Sequence, residues 1–282
     1  MMRALWTGAS GMKAQQTNVD TIANNISNVN TVGYKSQSAQ FKSLLYQTLR
    51  TETTTANAEP KPTTAQVGLG TRIASLNTSF KQGAMTATDS ATALCIEGEG
   101  FFSVRDVDGS VKYTRNGDFM WSLAIDGSRV LTTSEGYNVL DNAGNRITLP
   151  DGVGGDTVSF GTEGQLAYRG ADGNYIQTGQ SVALYQFNNP KGLEKVGESM
   201  WQATESSGAA RNEATAAGIT RSKINQGYLE ASNVNVADEM VNLIVAQRAY
   251  ELNSRAIKTV KIIRNPPVTV KNQFLIPQNK YR

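Results

Sequence analysis

Residues 3–29, RALWTGASGMKAQQTNVDTIANNISNV, decide the fold. The stretch holds no proline, and Leu5, Met12, Val19 and Ile26 recur every seven residues. That spacing predicts a long helix with one apolar stripe against a partner. A companion row through Ala9 and Ala23 is interrupted by Gln16, and Gly8 and Gly11 weaken the first turns. The helix is expected to end between Asn28 and Gly33, where Asn and Gly tolerate a left-handed cap.

The far end of the chain mirrors this pattern. Ser232, Asn233 and Asn235 are N-cap types, and Asp238 and Glu239 suit a first helical turn. Val236, Leu243, Tyr250 and Ile257 lie seven apart, with Met240 and Ala246 alongside. A second apolar row runs through Val241, Val245, Ala249, Leu252 and Ala256, and a helix apolar on two sides has neighbours on two sides. Pro266 and Pro267 forbid continuation. Each helix spans roughly 26 residues, or about 40 Å. The chain leaves one helix and enters the other after a long insertion. The predicted arrangement is an antiparallel, coiled-coil-like pair closed at one end by everything between.

That insertion reads as β-rich from about residue 95 onward. Runs such as Phe101–Val104 and Val182–Tyr185 alternate with Asp108-Gly109, Asn116-Gly117, Asp126-Gly127, Asp151-Gly152 and Asp172-Gly173, which are hairpin signals. Thr51–Gln66 is rich in Thr, Ala and Pro, and reads as an extended segment without its own core. The predicted class is α+β. Residues 1–35 with 233–264 form the helix pair, 36–70 a connecting segment, 71–232 a β-rich outer domain, and 265–282 a basic tail.

The composition of the 282 residues argues against most chemistry. There is no histidine, so the commonest general base and metal ligand is missing. Asp before Gly is a turn device rather than an acid–base pair or calcium ligand, and no phosphate loop, nucleophile elbow or complete dinucleotide fingerprint is present. No catalytic residue, cofactor or metal is expected. Cys95 is the only cysteine, which excludes an intrachain disulfide, and it reads as a small buried hydrophobe in a strand. The net charge of +3 conceals an asymmetry: seven bases and no acid follow Glu251, which leaves residues 1–251 at −4. A nucleic-acid binder would instead interleave bases with aromatics on a folded face, so no nucleic-acid partner is expected. The N-terminus lacks the apolar run of a secretory signal, and no stretch reaches the ~18 apolar residues of a membrane helix.

Four stretches carry a resemblance. Ala23-Asn24-Asn25-Ile26-Ser27-Asn28-Val29-Asn30-Thr31-Val32-Gly33-Tyr34-Lys35 resembles the N-terminal motif of bacterial flagellar rod and hook proteins. Gln226-Gly227-Tyr228-Leu229-Glu230-Ala231-Ser232-Asn233-Val234-Asn235-Val236, continuing through Gln247-Arg248-Ala249-Tyr250-Glu251, resembles their C-terminal motif. Glu97–Phe102 and Tyr113–Gly117 match interior pieces. Within that family Met1–Trp6, Leu44–Arg50 and the linker to Gly68-Leu69-Gly70 are most similar to distal rod members, in which this segment is thought to stiffen the tube. The resemblance implies terminal helices lining an export channel, a β-rich outer domain, and helical polymerisation across the periplasm. It also implies export by the flagellum's own apparatus without a cleaved signal. The implied partners are copies of the chain, other rod proteins, the hook protein, surrounding ring proteins and the export apparatus.

On this reading Leu5, Met12, Val19, Ile26, Val236, Met240, Leu243, Ile244, Tyr250 and Ile257 are the self-assembly positions. The motif residues are Asn24, Asn25, Asn28, Asn30, Gly33, Tyr34, Asn233, Asn235, Gln247 and Arg248. Asn28, Asn30, Asn233 and Asn235 suit caps and turns, whereas Asn24 and Asn25 lie inside a helix and are expected to contact a neighbouring subunit. Arg248 is expected to pair with a neighbour as well. A seam of Ala9, Gln16, Ala23 and Met240 buries little, so the helix pair is expected to be marginal alone, and the isolated chain to have unordered ends around a folded β domain. The tail from Asn265 onward departs from the family pattern and is suited either to an anionic neighbour such as the cell wall or to disorder. A hook or proximal rod protein is the alternative within the family, and an unrelated enzyme or adhesin the alternative outside it.

Overall fold

The computed structural model describes residues 2–50, 65–124, 126–150, 152–170 and 173–264. Pro266, Pro267, the basic tail and most of Thr51–Gln66 lie outside the described residues. Two long helices, α1 (Met2–Ser27) and α2 (Val236–Arg264), bracket a middle made of strands. Of the three N-cap types that the sequence offers before α2, Asn235 is the one that caps it. Asn235 accepts a hydrogen bond from the Ala237 N–H at 3.1 Å, and Asp238 and Glu239 occupy the first turn. There they meet the positive end of the helix dipole.

The described chain divides into two compact units. A helix unit holds the residues up to Ile22, Ala39–Leu76, and the residues from Met240 onward; a sheet unit holds Ala23–Ser38 and Asn77–Glu239. Gln37–Ser43 pairs with Thr71–Thr78, and within the helix unit Tyr46–Arg50 pairs antiparallel with Ala65–Gly68. The two glycines of α1 lie close to side chains of α2. A Cβ at Gly8 would lie 3.0 Å from Cγ1 of Ile257, and one at Gly11 would lie 2.9 Å from Nδ2 of Asn253. Here glycine trades helix propensity for a close approach of backbone to a neighbouring side chain. Ala14, Ile22 and Ala246 are buried, while Leu5, Met12, Val19, Leu243 and Ile257 are half-buried. The expected seam is a correction: Ala9, Gln16, Ala23 and Met240 all face solvent. The row that packs is offset around α1, because the small residues at 8, 11 and 14 admit a closer neighbour than Gln16 does.

The sheet unit is organised around the strand Phe101–Arg105, in which Phe101 to Val104 are all buried. It pairs with Val111–Thr114, with Asn138–Val139 and with Leu184–Gln186 inside a ten-stranded sheet. Alternation along the strand sends its two aromatic rings into different clusters. Phe102 joins Leu94, Phe119, Leu131 and Ile147, and its ring meets Phe119 edge-on at 5.1 Å. Phe101 joins Tyr113, Phe187 and Trp201. Each full burial of such a side chain contributes about 1.5–3 kcal/mol, so the unit has a real core. Cys95 lies in the buried strand Leu94–Glu97, and burial pushes its thiol up to about 11.

Gly109 and Gly127 adopt φ of +81°, as hairpin turns after Asp require. Asn116-Gly117 differs. Gly117 has no positive φ and instead lies against the Leu94 carbonyl, where any Cβ would overlap that oxygen. Asn116 accepts from the Asp118 N–H at 3.0 Å, so the dipeptide makes a side-chain turn while its glycine provides clearance.

Candidate functional site

The four motif stretches meet inside the sheet unit around one carboxylate. Glu230 ends the strand Tyr228–Glu230 and is 1% exposed. Its Oε1 accepts from Nζ of Lys35 at 2.5 Å and from the Gly83 N–H at 2.9 Å, while Oε2 lies 3.4 Å from Nη1 of Arg115. Lys35 is 0% exposed and also donates to the Lys81 carbonyl at 2.9 Å. Arg115 is 3% exposed, donates to the Gly98 carbonyl at 2.7 Å, and stacks its guanidinium over the Phe101 ring. Burial lowers the Lys35 ammonium from its ordinary value, and the adjacent Glu230 carboxylate opposes that shift.

The backbone of each motif is shaped to let the others in. Gly33 donates its N–H to the Glu230 carbonyl at 2.8 Å and adopts φ of +69°. A Cβ there would lie 2.6 Å from the Asn116 nitrogen and 2.7 Å from the Arg115 carbonyl carbon. Gly33 is therefore not the helix cap that its position suggests; α1 already ends at Ser27. Gly98 and Gly100 play the same part on the other side. A Cβ at Gly100 would lie 2.6 Å from Oε1 of the buried Glu213, and one at Gly98 would lie 2.5 Å from Oγ of Ser222. Ser222 Oγ donates to Glu213 Oε1 at 2.8 Å and accepts from the Gly100 N–H at 3.0 Å.

The motif asparagines serve the same closure. Asn25 is 1% exposed; its amide accepts from the Gln37 N–H at 2.9 Å and donates to the Gln37 carbonyl at 2.8 Å and to Glu239 at 3.0 Å. Its expected contact with a neighbouring subunit is thus corrected, because every polar atom of this buried amide is satisfied within the chain. Asn24 accepts from the Tyr34 hydroxyl at 2.9 Å and from Asn28 at 3.0 Å. Tyr34 is buried beside Glu239, and burial raises its phenol from the ordinary value. Asn233 is no cap: it accepts from the Ser36 N–H at 2.8 Å and donates to the Ser79 and Lys81 carbonyls. Asn30 is exposed.

The motif positions on α2 point outward instead. Gln247 is exposed, and Arg248 pairs with Glu251 of its own helix at 3.0 Å rather than waiting for a neighbour. Val236 and Tyr250 are 41% and 40% exposed, so half of that heptad row faces solvent. Met240, Val241, Ile244, Val245 and Leu252 are between 54% and 64% exposed. Together they leave an apolar face of α2 uncovered among the described residues. Lys35, Arg115 and Glu230 were not among the expected site residues; the available signal was that each is a charged residue inside one of the quoted motifs.

Comparison with known proteins divides the chain at the same places. A family described as "Flagella basal body rod protein" matches residues 5–35, one described as "Flagellar hook protein FlgE/F/G D1 domain" matches 95–168, and one described as "Flagellar basal body rod FlgEFG protein C-terminal" matches 225–262. Those spans contain Lys35, Arg115 and Glu230 respectively. The flagellar basal-body rod protein FlgG of Borreliella burgdorferi is 45% identical over 92% of this chain and 95% of its own length. FlgG of Bacillus subtilis is 34% identical over 96% of this chain and 100% of its own length. The flagellar hook-basal body complex protein FlhP of the same organism is 30% identical over 91% of this chain. With so much of its length matched at such identity, the chain belongs to the flagellar basal-body rod protein family.

Proposed function

We propose that this chain is a structural subunit of the flagellar distal rod, self-assembling helically into a stiff hollow shaft that transmits torque and encloses an export channel. The single observation that carries the reading is the exposed apolar face of α2 in a chain of this family. Burying five such side chains against neighbouring copies supplies several kcal/mol per subunit, at ~1.5–3 kcal/mol for each one fully covered. That is the order a polymer contact needs.

The terminal helices run as an antiparallel pair in this reading. What supports it is the drift of the contacts: Gly8 meets Ile257, and three residues further along α1, Gly11 meets Asn253, four residues back along α2. Asn25 bonds to Glu239 near the other ends. The pair, 1–35 with 233–264, forms the inner tube; 71–232 forms the outer domain, with 36–70 as connector. Axial neighbours are other rod proteins and the hook protein, with ring proteins around the shaft where it crosses the periplasm and the export apparatus beneath it.

Sedimentation of the purified chain, followed by electron microscopy of the pellet, tests the proposal. Straight tubes are expected, and Val245→Asp should prevent them while leaving the sheet unit folded. Curved, supercoiling polymers would identify a hook-type subunit instead, and a chain that stays monomeric at every concentration would end the proposal.

A further inference from the structure

Residues 222–231 run through the sheet unit as a strap that joins stretches far apart in the sequence. Among the described residues, Lys223–Gln226 is the one strand that pairs with Leu94–Glu97, and Tyr228–Glu230 the one that pairs with Met85–Ala87. Between the two strands, Gly227 donates its N–H to the Ala93 carbonyl at 2.9 Å, and its carbonyl accepts from the Thr88 N–H at 2.8 Å. The Gln226 side chain accepts from the Phe160 N–H at 3.0 Å and donates to the Ala91 and Val158 carbonyls at 2.6 and 3.0 Å. Buried carboxylates hold both ends: Ser222 bonds to Glu213, and Glu230 lies between Lys35 and Arg115.

The two larger sheets are complete without the strap. Every strand of the ten-stranded sheet lies between residues 101 and 212, and the three-stranded sheet closes within residues 158–181. The large apolar cluster around Phe102 takes only Ile224 from the strap. The junction is different. Without Glu230, the sites of Lys35 and Arg115 would hold two buried cations with no carboxylate bonded to either, which is strongly unfavourable. Lys35 is also 195 positions from Glu230, so a long loop must close before that pair can form.

We propose that the strap closes the junction as the final step in folding of the sheet unit, after the two larger sheets have formed. The junction then stays open in any chain that has not reached residue 231. A chain made from its N-terminus presents Lys35, Met85–Ala87, Leu94–Glu97 and Arg115 long before their partners exist. The helix α2 starts five residues after the strap, so closure coincides with the arrival of the helix whose apolar face is exposed. A shorter chain keeps two strands without partners and stays open to proteolysis. The order is a property of the single chain and holds whether or not the chain polymerises.

Refolding of the full-length chain from urea, at a dilution that keeps it monomeric, tests the order. Pulsed hydrogen exchange read by peptide mass spectrometry follows when each amide becomes protected. Amides of Phe101–Arg105 and Gln165–Arg169 are expected in an earlier phase. Those of Gly33, Gly83 and Thr88 should follow together with Ile224, Gly227 and Ala231. Glu230→Gln should slow the later phase about tenfold and leave the earlier one unchanged, since part of the lost pairing is expressed at the transition state. The milder Ile224→Val, which keeps the fold, should slow the later phase about twofold. Protection of Gly33 or Gly83 in the earlier phase overturns the inference. So does a single phase for all these amides, a pair of phases that protect the same amides, or a Glu230→Gln chain whose earlier phase slows as much as its later one. Each of those results leaves the subunit reading untouched, which sedimentation decides by itself.

Discussion

Replacing Glu230 by Gln changes one buried atom and tests the junction directly. The substitution keeps the shape of the side chain and an acceptor for the Gly83 N–H at 2.9 Å. It removes the charge that faces Lys35 at 2.5 Å and Arg115 at 3.4 Å, leaving two buried cations without an anion between them. At an effective dielectric of about 20 the two attractions are worth roughly 7 and 5 kcal/mol before desolvation is counted. Desolvation of the carboxylate offsets much of this, and removal of one partner from a buried pair typically costs about 3–5 kcal/mol. A folded domain has only about 5–15 kcal/mol to lose, so the effect should be large. Urea unfolding followed by tryptophan fluorescence is the assay, since Trp201 is 1% exposed in the adjacent aromatic cluster. With a urea slope near 3 kcal/mol/M, the midpoint should fall by about 1–1.7 M. Lys35→Met in the Glu230→Gln background should then cost less than it does alone, because the cation left unpaired is gone. A loss under about 1 kcal/mol for Glu230→Gln, or strict additivity of the two substitutions, would refute the claim that this carboxylate clamps the motifs together.

Gly33→Ala should lower stability by about 3 kcal/mol, read as a drop in melting temperature, because it adds left-handed strain and displaces the backbone that donates to the Glu230 carbonyl. Ser199→Gly should do the opposite. Glu198 and Ser199 hold φ of +48° and +57° in the turn between the strands Glu194–Gly197 and Met200–Gln202. Relieving one such position should gain about 0.5–1 kcal/mol after the extra chain entropy of glycine is subtracted. The Cys95 thiol, raised to about 11, keeps its proton in the native chain while the unfolded chain loses it nearer the usual value. Its contribution to stability therefore falls as pH rises between those two values, so Cys95→Ala should flatten the alkaline limb of a stability profile. The native thiol should also resist iodoacetamide at neutral pH. In dilute monomer, limited proteolysis should cut among the residues before Ile22 earlier than in the sheet unit, since few side chains of the helix unit are buried; an intact N-terminus would count against that.

Much of the fold was legible because it is written in local periodicity. The seven-residue rows placed both helices to within a few residues, and Asn235, Asp238 and Glu239 marked the start of α2 where the structure has it. The Asp-Gly turns at residues 109 and 127 followed from the φ that only glycine adopts freely. Periodicity could not say which row of α1 packs. Ala9, Gln16 and Ala23 are spaced as well as Gly8, Gly11 and Ala14, and the choice is made by how close a partner can come. Nor could it find the junction. Lys35, Arg115 and Glu230 are separated by 80 and 115 positions, and a charged side chain in a strand or loop reads as solvated until tertiary contacts bury it.

The burial of those motif residues divides the labour between them. Asn25, Gly33, Tyr34, Lys35, Arg115 and Glu230 are all buried with their partners inside one unit, so they serve closure of the chain upon itself. Met240, Val241, Ile244 and Val245 follow within fifteen residues of Glu230 and are all exposed, so nothing in the described chain consumes them. On the proposed reading, a subunit that folds before it joins a polymer needs this separation. Its internal clamp has to hold before any neighbour arrives, and its adhesive face must contribute nothing to that clamp. Damage to the clamp should therefore appear in the isolated chain as lost stability, and damage to the face only in the assembled state. An assembly defect with an unchanged unfolding curve would place a residue on the face, while a defect in both would place it in the clamp.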